Sequence, residues 1–155
     1  MNNVFILFFV MIFSKGVFGM SFLGMGKVCV FSELTVHLTL DGVPLANKKV
    51  TRQWEWDNLN SDEMMTNNAG LVSFPAVFES SVSRLLPMEL VVGQQLSVEL
   101  DGNDKVFWTN SKREPKENAE YGGVVFLADC ELNDEEVLIE DYGSLMVTQC
   151  KLIDR

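Results

Sequence analysis

Between Thr35 and Val77 the chain alternates apolar and polar residues in short runs, each closed by Gly, Asn, Asp or Pro. Runs of that kind are strands, and strands must find partners. Thr35-Val36-His37-Leu38-Thr39-Leu40 puts Val36, Leu38 and Leu40 on one face and Thr35, His37 and Thr39 on the other. Asp41-Gly42 marks a hairpin turn, and Pro44 supplies the preset φ of a following bend. Lys48 to Trp56 alternates again, with Val50, Arg52, Trp54 and Trp56 sharing a face. Asp57 to Glu63 reads as a polar loop, after which Met64 to Thr66 resumes extended structure. Asn67-Asn68-Ala69-Gly70 turns the chain into Leu71 to Phe74, and Pro75 ends the pairing.

The rest of the chain repeats this pattern with one interruption. Phe78, Val82, Leu85 and Leu86 recur at helical spacing, and Pro87 stops them, which predicts one short helical crossover. Gln94 to Leu100 alternates, Asp101-Gly102-Asn103-Asp104 turns, and Lys105 to Trp108 returns. Thr109 to Gly123 has almost no apolar content and reads as a long surface loop. Val124 to Leu127 resumes a strand, an acidic stretch runs from Asp129 to Asp141, and Leu145 to Cys150 closes the domain. The expected fold is all-β: a two-sheet antiparallel β-sandwich of about seven strands with that one crossover. A chain of 155 residues suits one such domain, expected over 20–155.

The first nineteen residues differ from everything after them. Val4 to Phe13 is an unbroken apolar run, too short to span a bilayer and of signal-peptide length. Ser14-Lys15-Gly16 and the small-residue pattern Val17-Phe18-Gly19 follow, so cleavage is expected after Gly19, with Ser21 as the fallback. The expected location is periplasmic or secreted; a start at Met20 gives a cytoplasmic protein instead. Three cysteines, Cys29, Cys130 and Cys150, predict one disulfide and one odd thiol in an exported chain. Cys130 and Cys150, both in the C-terminal strand region, are the expected pair, and pairing of either with Cys29 stays open. The lone histidine and scattered cysteines give no zinc-site spacing, so no metal or cofactor is expected.

Gly42-Val43-Pro44-Leu45-Ala46-Asn47-Lys48-Lys49-Val50 followed by Thr66-Asn67-Asn68-Ala69-Gly70-Leu71-Val72-Ser73-Phe74 resembles the carboxypeptidase regulatory-like, or transthyretin-like, β-sandwich, an immunoglobulin-like layering of two sheets. More narrowly, Lys27-Val28-Cys29-Val30-Phe31-Ser32, the Arg52-x-Trp54-x-Trp56 strand, Leu85-Leu86-Pro87 and Trp108 resemble an uncharacterised bacterial family of that fold, known only as a domain of unknown function. The resemblance covers most of residues 27 to 150. It implies a fold and contributes no catalytic residues.

Net charge is −10 with a pI near 4.5, which argues against nucleic acid or an anionic membrane surface as the main partner. No stable membrane insertion is expected once the leader is removed. No nucleophile motif, phosphate loop or metalloprotease helix occurs. His37 falls on the outer face by alternation, with no placeable acid–base partner. Arg52, Trp54 and Trp56 are residue types that dominate binding hot spots, though Trp54 also suits the sandwich core with Arg52 stacked on an indole. Lys112, Arg113 and Lys116 stand together as cations of the expected loop, and Asp134, Glu135 and Glu136 lead the acidic stretch. The expectation is a non-catalytic exported binding protein, an inhibitor or immunity-type protein occluding a basic protein such as an antibacterial effector. The other reading is a structural or accessory envelope module assembling through its sheet surfaces.

Overall fold

The computed structural model describes residues 27–80 and 89–153. The expected leader and its expected cleavage site, and Val82, Leu85 and Leu86 of the expected crossover, lie outside these residues. Phe78, the first residue of that helical pattern, is in a strand. Thirteen strands follow in order: β1 (Lys27–Phe31), β2 (Leu34–Leu40), β3 (Val43–Pro44), β4 (Lys49–Glu55), β5 (Leu59–Met65), β6 (Leu71–Phe74), β7 (Val77–Ser80), β8 (Val92–Leu100), β9 (Asn103–Lys112), β10 (Phe126–Glu131), β11 (Val137–Ile139), β12 (Leu145–Thr148) and β13 (Cys150–Leu152). The fold is all-β and built mainly of antiparallel pairs. The expectation of about seven strands in two sheets is corrected to thirteen in three among the described residues.

The six-stranded sheet runs β11-β12-β9-β8-β4-β5, the five-stranded sheet runs β13-β10-β2-β3 with β6 also on β2, and β1 pairs with β7. One ladder departs from the antiparallel expectation: β10 pairs with β2 in parallel, Phe126 opposite Leu34 through Glu131 opposite Thr39. A parallel neighbour needs a long return connection, and everything between β2 and β10 supplies it.

The alternation read from sequence fixes which side chains face inward. Leu34, Val36 and Leu38 of β2, with Phe126, Ala128 and Cys130 of β10, join Val50 and Trp54 of β4, Leu96 and Val98 of β8 and Trp108 of β9 in one hydrophobic core. Phe31, Trp108, Tyr121 and Phe126 form its aromatic centre, with Tyr121 stacked 4.2 Å from Phe126. The turns obey their residues. Asp41-Gly42 and Asp101-Gly102 all take positive φ, as the commonest two-residue hairpin turns require. At Gly70, with φ of 75°, an added Cβ would lie 2.6 Å from the Leu38 carbonyl oxygen, so only glycine fits.

Two expected loops are strand instead. Leu59 to Glu63 belongs to β5, paired along its whole length with β4. Its composition is poor for a strand, but an edge strand that leaves most of its side chains in solvent tolerates that. Thr109 to Lys112 completes β9, so the loop starts at 113; it carries a one-turn 3-10 helix at Ala119–Tyr121 and runs on to 125, because β10 begins at Phe126 and not at the expected Val124. The last strand changes sheets at Gln149: Thr148 pairs with Trp108 in one sheet and Cys150 with Cys130 in the other. A disulfide joins Cys130 and Cys150 at that corner.

Candidate functional site

The side chains singled out by sequence separate into buried anchors and an open edge. Arg52 is the clearest anchor, with 0% of its side chain exposed. Its guanidinium grips Asp62 through two bonds of 2.9 and 2.5 Å, donates to the Pro75 carbonyl at 2.6 Å, and lies over the rings of Phe31, Trp54 and Phe74. Trp54 is in the core and donates its indole N–H to Glu79 at 2.6 Å; Trp56 packs half-buried against the same core. These three do not form an open aromatic contact surface, because their strand turns that face toward the opposing sheet.

Lys112 corrects the loop reading in the same way. As the final residue of β9 it points inward and is 1% exposed. Its ammonium donates to Glu120 at 2.5 Å, to the Lys116 carbonyl at 2.7 Å and to the Ser32 hydroxyl at 3.2 Å, which uses all three N–H bonds. Glu120 accepts in addition from the Ser32 hydroxyl, the Ser32 amide and Gln94, and Gln94 accepts from Asn110. This cluster pins the 113–125 loop onto β1 and β9. Sequence reasoning missed Ser32, Gln94, Asn110 and Glu120, since only the three-dimensional fold brings them together. A cleft of about 300 Å³ opens beside the cluster, between the loop and Tyr142-Gly143-Ser144. Its charged floor, Lys112 and Glu120, is hydrogen-bonded within the fold, while the buried Ser144 hydroxyl in its wall has no hydrogen-bond partner. Cys29, the free cysteine, is buried nearby, and burial raises its thiol pKa, which keeps it protonated. Arg113 and Lys116 are exposed, and Arg113 is held by Glu89 at 2.5 Å.

His37 occupies the outer face, as alternation predicts, with its Nδ1 2.9 Å from Asp129. Leu71, His37, Asp129 and Lys151 form one row across four strands. The neighbouring hydroxyls, Thr35 and Ser73, bond each other at 2.8 Å, so no nucleophile is aligned on the imidazole. Glu131 serves the fold: it accepts from the amides of Gly42, Asp41 and Asn133 and from the Thr39 hydroxyl. Those bonds, the Gly42 amide foremost, pull its carboxyl down to about 2.

The remaining acidic residues surround β11. This strand ends the six-stranded sheet and, among the described residues, is bonded to β12 alone. Asp134 is taken by Lys151 at 2.6 Å. Glu135 and Glu136 on one side of β11, and Glu140 and Asp141 on the other, are exposed and make no ion pair among the described residues. Val137 and Leu138 between them are each 56% exposed. Three consecutive apolar residues set inside an acidic tract were the sequence signal for this strand, which the strand count expected from sequence omits.

The described residues form an all-β domain in which Arg52 and Lys112 are sealed by partners while the carboxylates around β11 are open, and that is the class of protein that fold and geometry define. The chain belongs to the family described as Domain of unknown function (DUF6795), which matches residues 34–135, from β2 to the residues just before β11. No curated protein and no solved structure matches the chain.

Proposed function

We propose that this protein is a non-catalytic, exported binding protein that occludes a basic protein partner, in the manner of an inhibitor or immunity protein acting on an antibacterial effector. The observation that carries this reading is the group of unpaired carboxylates around β11, Glu135, Glu136, Glu140 and Asp141, in a chain of net charge −10. Charges free of internal partners steer and select a cationic surface. The Lys112–Glu120 pair supports the non-catalytic part, because both ionised groups are already hydrogen-bonded within the fold. The Cys130–Cys150 disulfide supports export, since such bonds persist in oxidising compartments. The transthyretin-like likeness of the hairpin motifs supports a rigid two-layer scaffold on which an edge is presented.

The test is capture of partners from the native host with the disulfide-intact chain, eluted by a salt gradient. The reading expects basic proteins that leave as ionic strength rises. Capture that ignores salt, or returns no basic protein, overturns it.

One observation favours assembly through a sheet surface instead. Across the outer face of the six-stranded sheet runs an uncharged row, Ser61, Gln53, Gln95, Thr109, Val147 and Leu138. Sedimentation showing self-association that survives high salt would favour that module.

A further inference from the structure

We propose that β11 receives an extended cationic segment of the partner as an additional strand of the six-stranded sheet. This rests on the acidic edge being the docking surface, and adds how it docks and what chemistry it selects. β11 is hydrogen-bonded on one side, by β12, and faces no strand on the other among the described residues. A free strand side presents unpaired amides and carbonyls, which an extended peptide satisfies by strand addition. Leu138 lies opposite Val147, so it shares the outer face with Val147 and the exposed Leu145, while Val137 pairs with Thr148 on the inner face. Alternate side chains of an incoming strand would therefore meet apolar surface on both faces. Ile139 packs against the core and fixes the strand in place.

Charge decides the occupant. Glu135 and Glu136 precede the three-residue strand, and Glu140 and Asp141 follow it, so both ends of the edge are negative. A second copy pairing here in either direction would set carboxylates against carboxylates, whereas a segment with Lys or Arg at its ends would neutralise them. The opposite end of the sheet differs. At β5, Asp62 is consumed by Arg52, and Glu63 lies 3.8 Å from Lys49, leaving no comparable free charge.

The experiment uses the disulfide-intact chain and three labelled peptides: alternating Lys/Val, the same peptide N-methylated at alternate amides, and alternating Glu/Val. Fluorescence anisotropy gives affinity, and hydrogen exchange locates protection. The Lys/Val peptide is expected to bind and protect the amides of 137–139, with the N-methylated peptide weaker by about tenfold or more because main-chain hydrogen bonds are lost. The Glu/Val peptide should not bind, and Glu136→Lys with Glu140→Lys should abolish that preference. Equal binding of the N-methylated peptide overturns strand addition at β11 and leaves the acidic-edge reading standing, whereas protection at Leu59–Met65 instead of 137–139 overturns both. Binding of both charge types alike, or of neither cationic peptide at low salt, overturns the proposal together with that reading.

Discussion

Lys112–Glu120 and the β11 edge hold the same kinds of charge under opposite conditions. In the interior cluster each ionised group is surrounded by partners, down to the last ammonium proton of Lys112. Around β11 the carboxylates of Glu135, Glu136, Glu140 and Asp141 face water with no cation assigned to them. The first arrangement gains little by exchanging water for protein, yet it is expensive to break, since removing one partner strands the other in a dry site. The second contributes little to folding and leaves its charges free for another molecule. On the proposed function, fold and recognition fall to separate sets of side chains.

The largest expected effect comes from opening the sealed side. Glu120→Ala, which leaves the Lys112 ammonium buried and unpaired, is expected to cost about 3–5 kcal/mol in urea unfolding. Adding Lys112→Met should recover part of that loss but not all, because Ser32 and Gln94 also lose their acceptor. A full recovery would mean that the cluster is a simple ion pair.

Next comes the corner that supports the open side. Replacing Cys130 and Cys150 with Ala removes a cross-link over a separation of 20 residues, an expected loss of about 3 kcal/mol. Hydrogen exchange should then quicken at Val137–Ile139 and Leu145–Leu152 more than at Leu59–Met65. Uniform quickening would show that β11 has no special dependence on that bond.

Glu131 sharpens the contrast by pH. Its folded-state pKa of about 2 lies below the ordinary 4.5, so its contribution is fully present above 4.5 and is lost as pH falls from there through 2. Glu131→Gln should flatten the acid limb of the stability curve across that window, read by thermal melts at graded pH. The smallest effect belongs to the edge itself. Glu135→Gln and Glu136→Gln should each change stability by less than about 0.5 kcal/mol. Both should nevertheless reduce the salt dependence of partner capture.

The same contrast explains what the sequence could disclose. Alternation in Thr35–Leu40 and Gln94–Leu100 identified strands and their inward faces, because side-chain period is a local property. The Asp41-Gly42, Asp101-Gly102 and Asn67-Asn68-Ala69-Gly70 turn residues placed the turns for the same reason. Lys112 reads as a loop cation because charge predicts exposure until a distant partner such as Glu120 is known, whereas the stacking of Arg52 on an indole was legible and only its partner Asp62 was not. The strand total was missed where composition misleads: β5 is polar because it is an edge, and β11 is only three residues long. The parallel β2–β10 ladder joins residues ninety-two apart, His37 with Asp129 among them, and no local pattern announces it.

The chain crosses between the two larger sheets at Gln149 without leaving extended backbone for more than one residue, and the Cys130–Cys150 bond lies just past that crossing. A tug on whatever docks at β11 would pass through β12 and along one peptide backbone to a covalent anchor in the other layer. The fastening point and the load path are continuous, so the layers would be pulled together as a unit and not peeled strand by strand.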